Sequence, residues 1–184
     1  EEVEKLGEEK TELVIAGGTT TNIHSLVSAF YKPRGKRTKI LCDSQIFCSD
    51  RYALEAQIRL KGYDPEQELV FAGGGGPLID EGLIKLQNGS MKPKDTALIF
   101  LPSVVHSTGQ LLDVERLAGE AVRRGITVGF DLSHSIGVVP HKLHDWGVDF
   151  GVWCNYKYLS GGLGCPATMF IHEKNFHIAP AMPG

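Results

Sequence analysis

Short apolar runs alternate with stretches of helical period along the chain, the pattern of an α/β layer architecture built on a mainly parallel sheet. Residues 12–16, 38–42, 68–71, 96–101, 126–130, 150–154 and 167–171 read as strands. Between the first two, Gly17-Gly18 reads as a turn and 20–31 as a helix with Ile23, Leu26, Val27 and Phe30 on one face, stopped by Pro33. A second helix starts where Ser49 or Asp50 can cap it, turns Tyr52, Leu54, Ile58 and Leu60 inward, and ends at Gly62. The four glycines 73–76 are expected as loop, because each would cost a helix ~1 kcal/mol relative to alanine. A helix is expected over 80–87, and an amphipathic one over 112–124 with Leu117, Ala118 and Val122 inward, broken by Gly125. No repeat or low-complexity linker interrupts this order, so one continuous domain is expected.

Composition narrows the partners. With 184 residues and 42% hydrophobic content the chain can bury an ordinary core, and a formal charge of −3 with scattered basic residues offers no face to a phosphate backbone. Nucleic acid is not an expected partner. The longest apolar stretch, 97–101, is far short of the ~20 residues that span a bilayer, so no membrane helix is expected. Cys42, Cys48, Cys154 and Cys165 show no C-x-x-C spacing, and no histidines stand at zinc-finger intervals. No metal is expected, and the free thiols fit a reducing, cytoplasmic compartment. The opening Glu1-Glu2-Val3 lacks an initiator methionine and a basic-then-apolar signal, which suggests a fragment.

Ligands of open α/β sheets gather at the carboxyl ends of strands, so polar residues just past an apolar run carry the candidate chemistry. Four places qualify. Gly17-Gly18-Thr19-Thr20 opens a helix where backbone N–H groups and hydroxyls suit a phosphate, although plain N-capping by threonine explains it too. Phe47-Cys48-Ser49-Asp50 offers an aromatic to stack on a planar heterocycle; a hydrophobic staple ahead of a cap is the alternative. Asp131, with His134 near it, closes a buried strand, where it either caps the next segment or faces a protonated pyridine nitrogen. At ~4 Å and an effective dielectric of ~20 that pairing gains about 4 kcal/mol of attraction. Lys157, between Tyr156 and Tyr158, supplies an amine that a crowded, partly desolvated cleft leaves nucleophilic toward an aldehyde. Phosphate anchor, stacking aromatic, ring acid and amine together point to pyridoxal 5'-phosphate.

These residues also carry a family resemblance. Phe130-Asp131-Leu132-Ser133-His134-Ser135-Ile136-Gly137, Leu143-His144-Asp145-Trp146-Gly147-Val148-Asp149-Phe150, Trp153-Cys154-Asn155-Tyr156-Lys157-Tyr158-Leu159 and Ile171-His172-Glu173-Lys174 resemble kynureninase, a fold-type I pyridoxal-phosphate enzyme. The resemblance implies the large domain of that architecture over 1–184, truncated at both ends and without the small C-terminal domain. It implies that Lys157 carries the cofactor covalently and that Asp131 pairs with its ring nitrogen. His134 would lie beside that carboxylate, Phe47 would stack, and Thr19, Thr20 and Tyr156 would serve the phosphate. Cys48, Ser49 and Asp50 complete a Phe-x-Ser-Asp element. The implied reaction is hydrolytic Cβ–Cγ cleavage of L-kynurenine or its 3-hydroxy form to anthranilate or 3-hydroxyanthranilate plus L-alanine, on the tryptophan-to-NAD route. A homodimer is implied for the whole protein, with Lys157 and Tyr156 as the catalytic pair.

Pro102 stands where many relatives have a small hydroxyl residue, which puts one cofactor contact in question. Two alternatives remain: another fold-type I enzyme such as a cysteine desulfurase or selenocysteine lyase, and an inactive truncated pyridoxal-fold segment. The first needs a reactive cysteine on a flexible loop, and Cys165 lies close to the glycine-rich turn after Lys157.

Overall fold

The computed structural model describes residues 12–72 and 94–176. The expected loop at 73–76 and helix at 80–87 lie outside them. The strands are β1 (Leu13–Ile15), β2 (Lys39–Asp43), β3 (Leu69–Ala72), β4 (Thr96–Pro102), β5 (Thr127–Asp131), β6 (Phe150–Trp153) and β7 (Thr168–Ile171). They form one sheet in the order β1-β7-β6-β5-β4-β2-β3. The five strands from β6 to β3 are parallel; β7 and β1 add an antiparallel edge.

Side chains alternate across the central strands, sending Ile40, Cys42, Leu98, Phe100, Phe150 and Val152 to one face. Leu41, Ile99, Leu101, Val128, Phe130 and Trp153 go to the other. The first face is covered by α1 (Thr19–Phe30) through Ile23, Leu26, Val27 and Phe30, and by α2 (Cys48–Leu60) through Ala53, Leu54 and Ile58. The second is covered by α4 (Val114–Arg123), which buries Val114, Leu117, Ala118 and Ala121. Burial on both faces explains why these strands read as continuous apolar runs.

Three helix expectations are corrected. Helix α2 begins at Cys48 with Phe47 at its cap position and no side-chain cap, so Ser49 and Asp50 lie within its first turn. Its Tyr52 and Leu60 are exposed rather than inward. Each stands two residues, roughly 200° around the helix, from the buried Leu54 or Ile58. Val122 is likewise exposed, and Ala121 takes the core position expected of it. A short helix that was not expected, α3 (Pro65–Glu68), precedes β3. Asp64 caps it by accepting the Glu66 N–H at 3.0 Å, with Pro65 at its first turn.

The register at the centre of the sheet depends on one glycine. Gly129 pairs with Phe150, whose ring packs against Phe30 and Phe100 with centroids 4.8 and 6.0 Å away. A Cβ at Gly129 would come within 2.2 Å of that ring. Gly129→Ala is expected to destabilise the complete protein by ~1–3 kcal/mol or more through overpacking, read by chemical denaturation. Unchanged stability would show that the β5–β6 contact is slack.

Candidate active site

The parallel register carries two candidate groups to the same end of the sheet. Asp131 is the last residue of β5, opposite Pro102 of β4 and Val152 of β6. Its Oδ1 accepts the Ser133 N–H at 2.9 Å, so the capping role does operate. Below it, Ser103 Oγ donates to the Asp131 carbonyl at 3.2 Å and lies 2.5 Å from Ser135 Oγ, which meets the buried His141 Nε2 at 2.7 Å. Burial pushes His141 down to about 4, so this polar floor stays neutral near pH 7.

Strand β6 ends at Trp153, and the chain turns through residues 154–165, which carry Lys157. Ser133 Oγ accepts the Cys154 N–H at 3.2 Å, joining the Asp131 loop to the base of this turn. Gly161 closes it, its N–H donating to Asn155 O at 2.8 Å; a Cβ there would lie 2.8 Å from both Asn155 O and Cys165 Sγ. Lys157 Nζ lies 5.9 Å from the centre of the Phe47 ring, within the range of a cation–π contact.

Phe47, Asp50, Pro102, His106, Asp131 and His134 line one small cleft. Phe47 is half exposed and meets His106 edge-on at 5.3 Å, rather than stapling the helix behind it. Pro102 forms part of the wall in place of a hydroxyl. Burial lowers His134 below the ordinary imidazole range, the Lys157 charge adds to this, and Asp131 opposes it. Asp50 is pushed up to about 8, first by burial and then by the charge and hydrogen bond of Asp131, with Lys157 pulling the other way. Ser49 Oγ donates to Asp50 Oδ1 at 3.2 Å, while Cys48 is exposed at the start of the helix.

Thr19 and Thr20 open α1 at this same end of the sheet. Gly17 O accepts the Ala167 N–H at 2.9 Å beside the start of β7, which pairs there with Trp153. The Thr19 hydroxyl oxygen is buried and has no protein partner. Neither threonine lines the Phe47–Asp131–His134 cleft. Tyr156 is 57% exposed and hydrogen-bonds Cys154 rather than a cleft residue; burial of its oxygen, then Cys154, raises its phenol.

Two residues escaped the sequence reading. His106 sits past the end of β4, and Asp43 closes β2, where burial raises its carboxyl and the His106 charge partly offsets this. Both obey the rule used to find Asp131, a polar residue just past an apolar run, and a uniform application of it would have found them.

No protein-family profile matches the chain. A kynureninase of Geobacillus thermodenitrificans is 48% identical over 181 residues, 97% of this chain and 41% of that protein. One of Bacillus cereus is 50% identical over 175 residues, and one of Shouchella clausii 48% over 181. Over the stretch it covers, the chain is homologous to kynureninase. It spans about 40% of the length of these relatives. Kynureninase-like sequence here adopts a fold shared with solved cysteine desulfurases. That of Thermococcus onnurineus superposes with a TM-score of 0.76 at 22% identity, over 95% of this chain and 41% of its own. That of Escherichia coli gives 0.78 at 16%, over 96% and 42%. The architecture is the expected α/β one, a mainly parallel sheet flanked by helices, shared with these two desulfurases.

The Asp50 carboxyl gives a signed pH dependence. Unfolded, it titrates near pH ~4, and folded at about 8, so between these values only the folded chain keeps the proton. Its contribution to stability is therefore full below pH ~4 and lost as the pH rises to about 8. Asp50→Asn is expected to flatten that decline in melting temperature for cofactor-free protein between pH 5 and 9. An unaltered slope would place the titration elsewhere.

Proposed function

We propose that the chain carries the cofactor-binding face of a pyridoxal-phosphate-dependent kynureninase, which hydrolyses the Cβ–Cγ bond of L-kynurenine or 3-hydroxykynurenine. The observation that carries this reading is the grouping of Phe47, Asp131 and His134 around one cleft, with Lys157 Nζ 5.9 Å from the centre of the Phe47 ring, in a chain 48–50% identical to kynureninases. The residues present fit the cofactor. The partnerless buried hydroxyl of Thr19 suits a phosphate oxygen at the N-terminus of α1, with Thr20 beside it. The half-exposed face of Phe47 suits a ring, and Asp131 suits a cationic ring nitrogen.

Pyridoxal phosphate supplies, when bound, an aldehyde for an amine and a ring that accepts electrons. In this reading the chain's residues do the rest. Lys157 Nζ, held over Phe47, anchors the cofactor and moves the substrate's Cα proton. Asp131, its carboxylate oriented by the Ser133 N–H, holds the ring nitrogen charged. Asp50, protonated near pH 7, donates to Asp131 and lets two acids stand together in a buried place. His134, kept neutral, adds no positive charge beside Lys157. Tyr156, or a water near it, would protonate the alanyl Cβ left behind when the aroyl group departs as the carboxylate of anthranilate, and Tyr156 would serve the phosphate side. The homodimer, the cytoplasmic setting and the further domain of the relatives belong to the same proposal.

Borohydride reduction of the complete protein with pyridoxal phosphate, followed by digestion and mass analysis, is expected to find the pyridoxyl group on Lys157. Lys157→Ala is expected to lower kynurenine cleavage by at least about 10²–10⁴-fold, the range a positioned proton-transfer group contributes. A label on another lysine, or cleavage undiminished in the variant, would end this reading.

A further inference from the structure

At the opposite end of the sheet from Lys157, three segments far apart in sequence bring metal-ligating atoms together. Glu12, just before β1, is completely buried, and His172, just after β7, nearly so. His144 reaches them from the connection between β5 and β6 and stays partly open to solvent. Glu12 Oε1 lies 3.0 Å from His144 Nδ1 and 3.4 Å from His172 Nδ1. The two imidazole rings stack, centroids 4.6 Å apart. One ligand atom from each residue falls within 4.8 Å of the other two, the one such group among the described residues.

The 3.4 Å separation matches a small tetrahedral ion, and the 3.0 Å one is a hydrogen-bond distance that an ion would open slightly. Bonds of ~2.0–2.2 Å to nitrogen and oxygen hold neighbouring ligand atoms roughly 3.3–3.5 Å apart. The supporting contacts have the form of an outer shell around a metal. The Glu173 N–H donates to Glu12 Oε1 at 2.6 Å and fixes the carboxylate. His172 Nδ1 accepts the Lys174 N–H at 3.2 Å, a hydrogen bond that an ion on this nitrogen would replace. Glu173 and Asp145 add negative charge around His144, and the Lys174 ammonium near His172 is paired with Asp149 Oδ1 and bound to Gly147 O.

We propose that Glu12, His144 and His172 bind a first-row divalent transition-metal ion of the zinc class, with water completing the coordination on the open side of His144. Two imidazoles and one carboxylate select such an ion over magnesium or calcium, which take all-oxygen sites. The ion clamps the start of β1, the end of β7 and the β5–β6 connection, fastening the antiparallel edge to the parallel sheet. Its ligands, 12, 144 and 172, are too scattered for any spacing motif, which is why the sequence led to no metal being expected.

The test uses the complete protein, stripped of metal and titrated with Co²⁺ by visible absorption and with Zn²⁺ by calorimetry. One ion per chain with a Kd of about 1 μM or tighter, tetrahedral cobalt bands, and a melting temperature that rises with Zn²⁺ are expected. Binding should strengthen as the pH rises and the imidazoles lose their protons. His144→Ala, at a partly exposed position, should fold and weaken binding by roughly 100-fold or more, and Glu12→Gln should do the same wherever it folds. No stoichiometric binding by folded protein, or equal binding by the His144→Ala variant, would overturn the proposal.

Discussion

The parallel pairing of β5 with β6 sets the position of everything chemical in this chain. It aligns Asp131 with Val152, so the last residue of one strand stands beside the exit of its neighbour, and the turn bearing Lys157 folds back over it. The pairing is held by ladder hydrogen bonds and by the Phe150 ring lying against Gly129, with Phe30 and Phe100 behind it. Neither Asp131 nor Lys157 has a local reason to meet the other. Their placement at one end of the sheet follows from its register, and a slip of one residue would turn the Asp131 side chain to the opposite face.

The cleft is acidic in composition, yet burial limits how much charge it carries. Asp50 and Asp131 cannot both ionise cheaply in a partly desolvated space, and the structure resolves this by a shared hydrogen bond and the nearby Lys157 charge. Under Asp131 the Ser103–Ser135–His141 chain satisfies polar groups without adding a charge. The acids thus face the cleft from a neutral, hydrogen-bonded bed.

Much of this was legible in the sequence. All seven strands are found where the apolar runs put them, to within a residue or two, and the central ones, buried on both faces, leave an uninterrupted signal. Phe47, Asp131, His134 and Lys157 were legible as residues just past those runs. Helix faces were harder: Tyr52, Leu60 and Val122 are apolar yet exposed, and only the packing of α2 and α4 on the sheet decides which side turns inward. Thr19 and Thr20 share the right end of the sheet without touching the cleft. Tyr156 turns largely outward. Helix α3 was missed although Asp64-Pro65 is a start signal, since four residues are too short to show a period.

The fit of Gly129 against Phe150 also bears on how such a chain can change over generations. Neither position is free to drift alone, because any side chain at 129 needs a smaller neighbour at 150, and a smaller neighbour leaves Phe30 and Phe100 facing a void. The two sites must covary, and with them the spacing of the strands that present the acid and the amine. A mutational lineage that altered this pair would be retuning the cleft from within the hydrophobic core, without replacing a single residue that lines it.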